Sequence, residues 1–453
     1  MHLPASYRDP SGFVFEKEGV LYRQINKYFG KTFNHFIDSG LYQHLATEKL
    51  LIQHALIAEN ITGSPDWFAT LKPELIPVIS YPYEWCFNLL KDAALLTLTL
   101  AEKAIKYGMM LKDATPYNVQ LYNGNVIFID SLSFEKLDAT KPWIAYRQFC
   151  ECFLAPLTLM HFLKTPLQPL LYAYPEGIPL PAVHKMLPLK SRFHLGCYLH
   201  LHLHAGYSKK NVGKKATPKF SEKNFRAILQ SLKQTITSLH IQTNTVWSGY
   251  YNEAAQRPDY LQKKKQIIGE WIEKLPEIKT AVDIGANEGL FAEMLAAKGI
   301  RTIAADADPE SINTLYTKVR TEANPNLIPL VVDVTNPGAA IGFSNEERET
   351  FTSRAKSDLV LALALEHHLA IGRNIPFHML ASFFRKLGKY LIIEFVPKED
   401  DKIQEMLLHK KDIYDWYTQD GFEKAFQDAY HILRKQEIQP SGRTLYLMQQ
   451  HEA

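Results

Sequence analysis

Cysteine is nearly absent: Cys86, Cys150, Cys152 and Cys197 are the only four, and no two are spaced as a CxxC pair. That excludes a disulfide framework and a cysteine-built zinc site, and a reducing, cytoplasmic setting is the expectation. Long apolar runs are missing as well. The most apolar stretches, Ala93 to Leu100 and Asp358 to Leu365, fall far short of the roughly 20 residues that cross a bilayer, so no membrane span is expected. The start of the chain passes Pro4, Arg8 and Asp9 before any apolar segment, and no signal-peptide pattern is visible there. Neither sign of charge dominates. The formal net charge is +3 with both signs interspersed, so nucleic acid is neither implied nor excluded as a partner.

What remains is an ordinary globular composition. At 453 residues the chain is long enough for two or three domains with buried cores. Phe13-Val14-Phe15 and Val20-Leu21-Tyr22 flank Glu16 to Gly19, which predicts an opening β-hairpin with glycine in its turn. Helical periodicity follows around Leu41 to Ile57 and Ala93 to Tyr107, then a short strand at Val126 to Ile129. From Pro142 to Leu203 the pattern is helical and aromatic-rich, broken by Pro175, Pro179 and Pro181. Ser208 to Lys219 is basic and poor in large apolar residues, which predicts a linker, with a bridging helix at Glu222 to Leu239.

Beyond Pro276 the rhythm changes. Short β-branched segments at Ala281 to Ile284, Thr302 to Ala304, Leu330 to Val332, Leu359 to Leu361 and Leu391 to Ile393 alternate with helical stretches, which implies a parallel sheet with crossover helices. The first of these runs into Asp283-Ile284-Gly285-Ala286-Asn287-Glu288-Gly289. Glycines there permit a tight turn and close backbone approach to a ligand at the carboxyl edge of the sheet. A dinucleotide fingerprint has the spacing GxGxxG. Here an acid ends the strand and the glycines are Gly285-x-x-x-Gly289, which favours a cationic amino-acid ligand over a pyrophosphate.

This segment resembles motif I of class I S-adenosylmethionine-dependent methyltransferases. The resemblance implies S-adenosylmethionine as cofactor, with Asp283 meeting its methionine part directly or through water and Gly285, Asn287 and Gly289 among the cofactor-binding residues. Asp306, at the tip of the next strand, can accept both ribose hydroxyl protons, with Asp308 as the weaker choice. Asp333, after Leu330-Val331-Val332, resembles the family position facing the adenine amino group. Taken singly each aspartate is equally well a helix or turn cap; three at successive strand ends argue together. The fourth strand leads into Glu366-His367-His368, candidate catalytic groups at the same edge, where an imidazole can take a proton from an attacking oxygen or nitrogen. The bland account is that each histidine caps or packs. Adjacent histidines do not share a helix face, so no metal site is expected. Trp247, Tyr250, Tyr251 and Tyr260 either shield the sulfonium or pack between domains. With Gly342-Phe343, Arg348, Ala370 to Pro376, Glu394 to Pro397 and Ser441 to Tyr446, the stretch from Trp247 to Leu447 resembles a bacterial methyltransferase group related to rhizobial host-nodulation proteins.

The N-terminal half carries a second likeness. Lys112-Asp113-Ala114-Thr115-Pro116-Tyr117-Asn118, then Val126 to Asp130, resembles the catalytic and metal-binding loops of protein kinases and aminoglycoside-type phosphotransferases. That likeness makes Asp113 a base and Asn118 and Asp130 magnesium ligands, with a nucleotide as the module's ligand. The departures are Lys112 in place of histidine, Ser131-Leu132 after the aspartate, and no glycine-rich phosphate loop. A degenerate module that binds or positions the acceptor is therefore favoured; a turn of Asp, Pro and Asn is the bland account. His200-Leu201-His202-Leu203-His204 invites a metal reading, but without a carboxylate or cysteine nearby a polar stripe is simpler.

The expected architecture is α/β: a degenerate kinase-like α+β domain over 1–207, a basic linker and bridging helix over 208–246, and a Rossmann-like doubly wound methyltransferase domain over 247–453. The expected activity is methyl transfer to an oxygen or nitrogen of a small-molecule, glycan or protein acceptor. A non-catalytic ligand-sensing scaffold and a bifunctional phosphotransferase-methyltransferase using Asp113, Asn118 and Asp130 are the alternatives.

Overall fold

The computed structural model describes residues 2–203, 221–241, 258–408 and 410–452. The chain divides into two compact units, Met1–Thr243 with Ala340–Arg348, and Asn244–Ala339 with Glu349–Ala453. Ser208 to Lys219, His204, Trp247, Tyr250 and Tyr251 lie outside the described residues.

In the first unit β1 (Gly12–Lys17) and β2 (Val20–Asn26) form the expected hairpin. Its two-residue turn holds Glu18 at φ 55° and Gly19 at φ 75°, the left-handed pair that a tight antiparallel turn requires. The hairpin extends through β4 (Trp67–Pro73) to β3 (His54–Ile57) in the order β1-β2-β4-β3. This corrects the helical reading of Leu41 to Ile57: the helix covers only Leu41–Thr47, and Lys49 turns left-handed at φ 57°. The segment after it is recruited as a strand by pairing with β4, a tertiary contact that overrides local periodicity. The helix Phe87–Lys106 buries Leu89, Leu90, Ala93, Ala94 and Leu100. Two antiparallel ribbons follow, β5 (Met109–Leu111) with β8 (Phe134–Lys136) and β6 (Val119–Tyr122) with β7 (Asn125–Phe128), and between them they fix the loops carrying Asp113, Asn118 and Asp130.

The helix Glu222–Ser238, expected as a bridge, falls within the first unit. It packs along Phe87–Lys106, with Phe225, Leu229, Leu232 and Ile236 buried on its apolar stripe. Lys233 pairs with Glu102 at 2.8 Å. Lys91 donates to the terminal carbonyls of Thr237 and Leu239 at 2.8 and 2.7 Å, neutralising the negative end of the helix.

The second unit is built on a seven-stranded sheet, β9 (Thr280–Ile284), β10 (Arg301–Asp306), β11 (Leu327–Val331), β12 (Ser357–Ala362), β13 (Gly388–Phe395), β14 (Tyr430–Ile438) and β15 (Arg443–Gln450). Their order is β11-β10-β9-β12-β13-β15-β14, with β15 antiparallel to both of its neighbours and the strands from β11 to β13 parallel. Val282, Val360, Leu361, Ile392 and Ile393 are fully buried, which explains why these strands read as continuous apolar runs. After β9 the chain winds outward through β10 and β11, then returns to start β12 on the other side of β9. The strand order therefore reverses between β9 and β12, and the crevice beyond their carboxyl ends is the switch point where open α/β sheets hold ligands. β14 and β15 were not foreseen, because β14 exposes Lys435 to Glu437 and lacks a clean alternation.

Candidate functional site

At the end of β9 the chain enters a turn in which Gly285 (φ 77°), Asn287 (φ 50°) and Gly289 (φ 85°) are all left-handed. A Cβ on Gly289 would stand 2.5 Å from Leu315 Cδ1, so both conformation and packing demand glycine there. The amides of Gly285 and Ala286 donate to the Ala305 carbonyl at 2.8 and 3.1 Å, which folds the turn over the tip of β10. Asp306 completes the fastening. Its Oδ2 accepts the Asn287 amide at 2.7 Å and its Oδ1 the Asp308 amide at 2.8 Å, leaving each oxygen a further lone pair. Burial raises its carboxyl above the usual range, and those same amides pull it back. Asp308 is the helix cap that the bland reading allowed, accepting the Ser311 hydroxyl at 2.6 Å.

Asp283 is 2% exposed and faces a cavity of about 40 Å³ between Tyr260, Lys264, Gly285, Phe291 and Leu363. That space takes an ammonium-sized group, not a whole nucleoside. Burial drives the Asp283 carboxyl up to about 7, with the Lys264 ammonium opposing the shift and Asp306 adding to it. A larger hollow of about 580 Å³ lies at the opposite, amino edge of the sheet, beside Ser357 and Gly388 and rimmed by Lys356, Arg385, Lys386 and Lys389. It contains none of the strand-tip carboxylates.

Lys264 belongs to a buried ionic network. Its ammonium is 2.5 Å from Glu394 Oε2, Arg443 pairs with Asp400 through two bonds of 2.8 and 3.0 Å, and the Tyr260 hydroxyl donates to Glu394. Tyr260 is thus a buried member of this network as well as a wall of the Asp283 cavity. Sequence reasoning missed Lys264, because it sits in the run Lys263-Lys264-Lys265 on the helix Pro258–Glu273 and reads as a solvated face. Its partner Glu394, a charge inside an apolar strand, was the available signal.

Beyond β12, Glu366, His367 and His368 reach the same edge as expected, but the first two do not emerge from it. Glu366 is 0% exposed: its Oε1 accepts the Val396 amide at 2.9 Å and the Tyr417 hydroxyl at 2.6 Å, tying the end of β12 to the end of β13. Burial pushes its carboxyl up to about 8, so it is protonated at neutral pH. His367 is also buried, and burial next to His368 holds its imidazole well below the ordinary range. His368 is half-buried, 4.1 Å from the His367 ring, and lowered to about 4 by desolvation. Both rings are neutral at pH 7.

Asp333 lies two residues past β11, which ends at Val331 rather than at Val332 as expected. Its Oδ1 accepts the amide and hydroxyl of Thr335 at 2.9 and 2.7 Å, and its Oδ2 stands 4.0 Å from Arg373.

In the first unit Asp113, Asn118 and Asp130 are brought together. Asn118 Nδ2 donates to Asp113 Oδ2 at 3.2 Å and to Ser133 Oγ at 3.1 Å, and Asp130 pairs with Arg23 at 2.6 Å. The carboxylate oxygens of Asp113 and Asp130 are engaged by protein donors, Gln148 and Asn118 on the first and Arg23, Leu132 and Ser133 on the second. His200 and His202 sit in the helical turn Tyr198–Leu203, not on a strand. His200 contacts Tyr146 and Ser231, each at 2.8 Å, and His202 contacts His184 and Ser191, each at 2.8 Å. Among the described residues no three His, Cys, Asp or Glu side chains are grouped to hold a metal ion. Nor is any described helix long and apolar enough to cross a membrane.

Fold and site together define a Rossmann-like α/β domain with a carboxylate-flanked cleft at its switch point, joined to an α+β unit. No family model matches the chain. Nodulation protein NoeA of Rhizobium meliloti (strain 1021) is 30% identical over 464 residues, taking in 99% of this chain and 96% of NoeA. The chain belongs to the NoeA family. Among solved structures, the bifunctional kinase-methyltransferase WbdD aligns at 17% identity and a TM-score of 0.29 over 44% of this chain, which spans only 40% of WbdD. The N-methyltransferase NodS from Bradyrhizobium japonicum WM9, in complex with S-adenosyl-L-homocysteine, aligns at 13% identity and a TM-score of 0.32 over 43% of this chain and 88% of NodS. The magnesium protoporphyrin IX methyltransferase of Synechocystis PCC 6803 aligns at 15% identity and a TM-score of 0.32, over 42% of this chain and 84% of that enzyme.

Proposed function

We propose that the protein is an S-adenosylmethionine-dependent methyltransferase acting on an oxygen or nitrogen of a small-molecule, glycan or protein acceptor, with the N-terminal unit positioning that acceptor. One observation carries the reading: a left-handed glycine turn at the switch point, with Asp283 below it and Asp306 beside it. The pocket at Asp283 suits the ammonium of an amino-acid ligand, and the spare lone pairs of Asp306 suit vicinal hydroxyls. When bound, the cofactor supplies a methyl group already activated on a sulfonium, so the chain's tasks are alignment and exclusion of water. His368 is neutral and the least buried of the three candidates beyond β12, which favours it over Glu366 and His367 as the base for the acceptor's proton.

Calorimetric titration with S-adenosylmethionine and S-adenosylhomocysteine tests the binding, and a screen of metabolites and lysate with methyl-labelled cofactor tests the transfer. Absence of binding at millimolar ligand refutes the proposal. The burial of Glu366 and His367 favours one rival, the ligand-sensing scaffold, which predicts binding but no S-adenosylhomocysteine released with any acceptor.

A further inference from the structure

The loop that resembles a metal-binding kinase loop already holds a cation, and that cation is a side chain. Asp130 follows β7 and is 8% exposed. Its Oδ1 lies 2.6 Å from Arg23 Nη1 and accepts the Leu132 amide at 2.9 Å, while its Oδ2 accepts the Ser133 hydroxyl at 2.5 Å. Arg23 comes from β2, which belongs to a different sheet from the β6-β7 ribbon that Asp130 follows, so the fold itself delivers the guanidinium. The two side chains are only 14% and 12% accessible, which leaves the pair weakly screened. Asn118 is turned the wrong way for a metal as well. Its partner Asp113 is a carboxylate that can only accept when ionised, so Asn118 meets Asp113 and Ser133 with its amide nitrogen, the end that cannot ligate a metal. Asp113 Oδ1 is taken in turn by Gln148 Nε2 at 2.7 Å.

We infer that Arg23 is the resident cation of this cleft and stands in place of a divalent metal, so that the N-terminal unit works without magnesium. A metal entering here would have to displace a guanidinium paired in a nearly dry site and then sit beside that buried positive charge. The chemistry available to the unit is therefore recognition through hydrogen bonds, not metal-bridged phosphoryl transfer.

The test uses the full-length protein and manganese as the probe, with and without the non-hydrolysable nucleotide AMP-PNP, followed by electron paramagnetic resonance. Wild-type protein is expected to bind manganese no more tightly than buffer containing the nucleotide. Arg23→Met frees Asp130 and is expected to gain at least ten-fold in manganese affinity, a gain that Arg23→Met/Asp130→Asn loses. If Arg23→Met does not fold, Arg23→Gln removes the charge while keeping a hydrogen bond to Asp130. Two results overturn the inference: a wild-type manganese-nucleotide complex that Asp130→Asn abolishes, or a folded charge-removing variant as blind to manganese as the wild type.

Discussion

Asp283→Asn should make the free protein more stable at neutral pH while removing its grip on a cationic ligand. The wild-type carboxyl is raised from 3.8 in the open chain to about 7 in the fold, chiefly by burial. The folded state therefore binds the proton more tightly than the unfolded one. Stability falls as pH rises through the window between those two values, because ionisation is easier after unfolding. Below pH 4 the effect is nearly absent; above pH 7 it amounts to about 4 kcal/mol of lost stability, at roughly 1.4 kcal/mol for each pH unit of displacement. Asparagine fits the same space and never ionises. Its advantage should thus be small at pH 4 and large at pH 8, where about 4 kcal/mol in a unit of this size raises the melting temperature by about 10 °C. Melting curves of both proteins between pH 4 and 8 read this directly. Ligand binding should move the opposite way: wild-type affinity for S-adenosylhomocysteine should strengthen about ten-fold per pH unit from 5.5 toward 7, and Asp283→Asn should bind weakly with a flat profile. A melting-temperature difference independent of pH, or an asparagine variant less stable throughout, would refute the reasoning that burial raises this carboxylate.

Asp306→Ala removes the acceptor of two backbone amides and the proposed diol partner. Calorimetry should show ligand affinity reduced by about 30-fold or more, given that each hydrogen bond to a charged group contributes about 1.5–3 kcal/mol. Gly289→Ala should destabilise by about 2–4 kcal/mol through left-handed strain and the clash with Leu315, whereas Gly19→Ala, left-handed but with open space around it, should cost about 1 kcal/mol; urea unfolding separates the two. Glu366→Gln should leave turnover nearly unchanged at pH 7, since a carboxyl with its midpoint near 8 is already protonated in the fold, yet it should already be the more stable there by about 3 kcal/mol, because the unfolded carboxyl ionises from 4.5 upward. At pH 9 the glutamine variant should be more stable still; a large loss of turnover at pH 7 would instead mark Glu366 as a reacting group.

Much of the second unit was legible in the sequence because a parallel sheet buried on both faces writes itself as short apolar runs, and because a left-handed turn at a ligand edge demands glycine. Those two constraints are local, and they located β9, β10, β12 and β13, the Gly285 to Gly289 turn and the positions of Asp283 and Asp306 along the chain. What each polar group faces was not local. Only the tertiary structure decided that Glu366 clamps two strand ends, that Tyr260 and Lys264 join a buried ionic network, and that Asp130 is neutralised by Arg23 from a distant strand. The same holds for His54–Ile57 and for β14, which are strands because partners pair with them and not because their own residues alternate. Side-chain spacing determines what a segment is able to form; desolvation and long-range pairing determine which charges survive inside, and those depend on residues that the chain brings together only after it has folded.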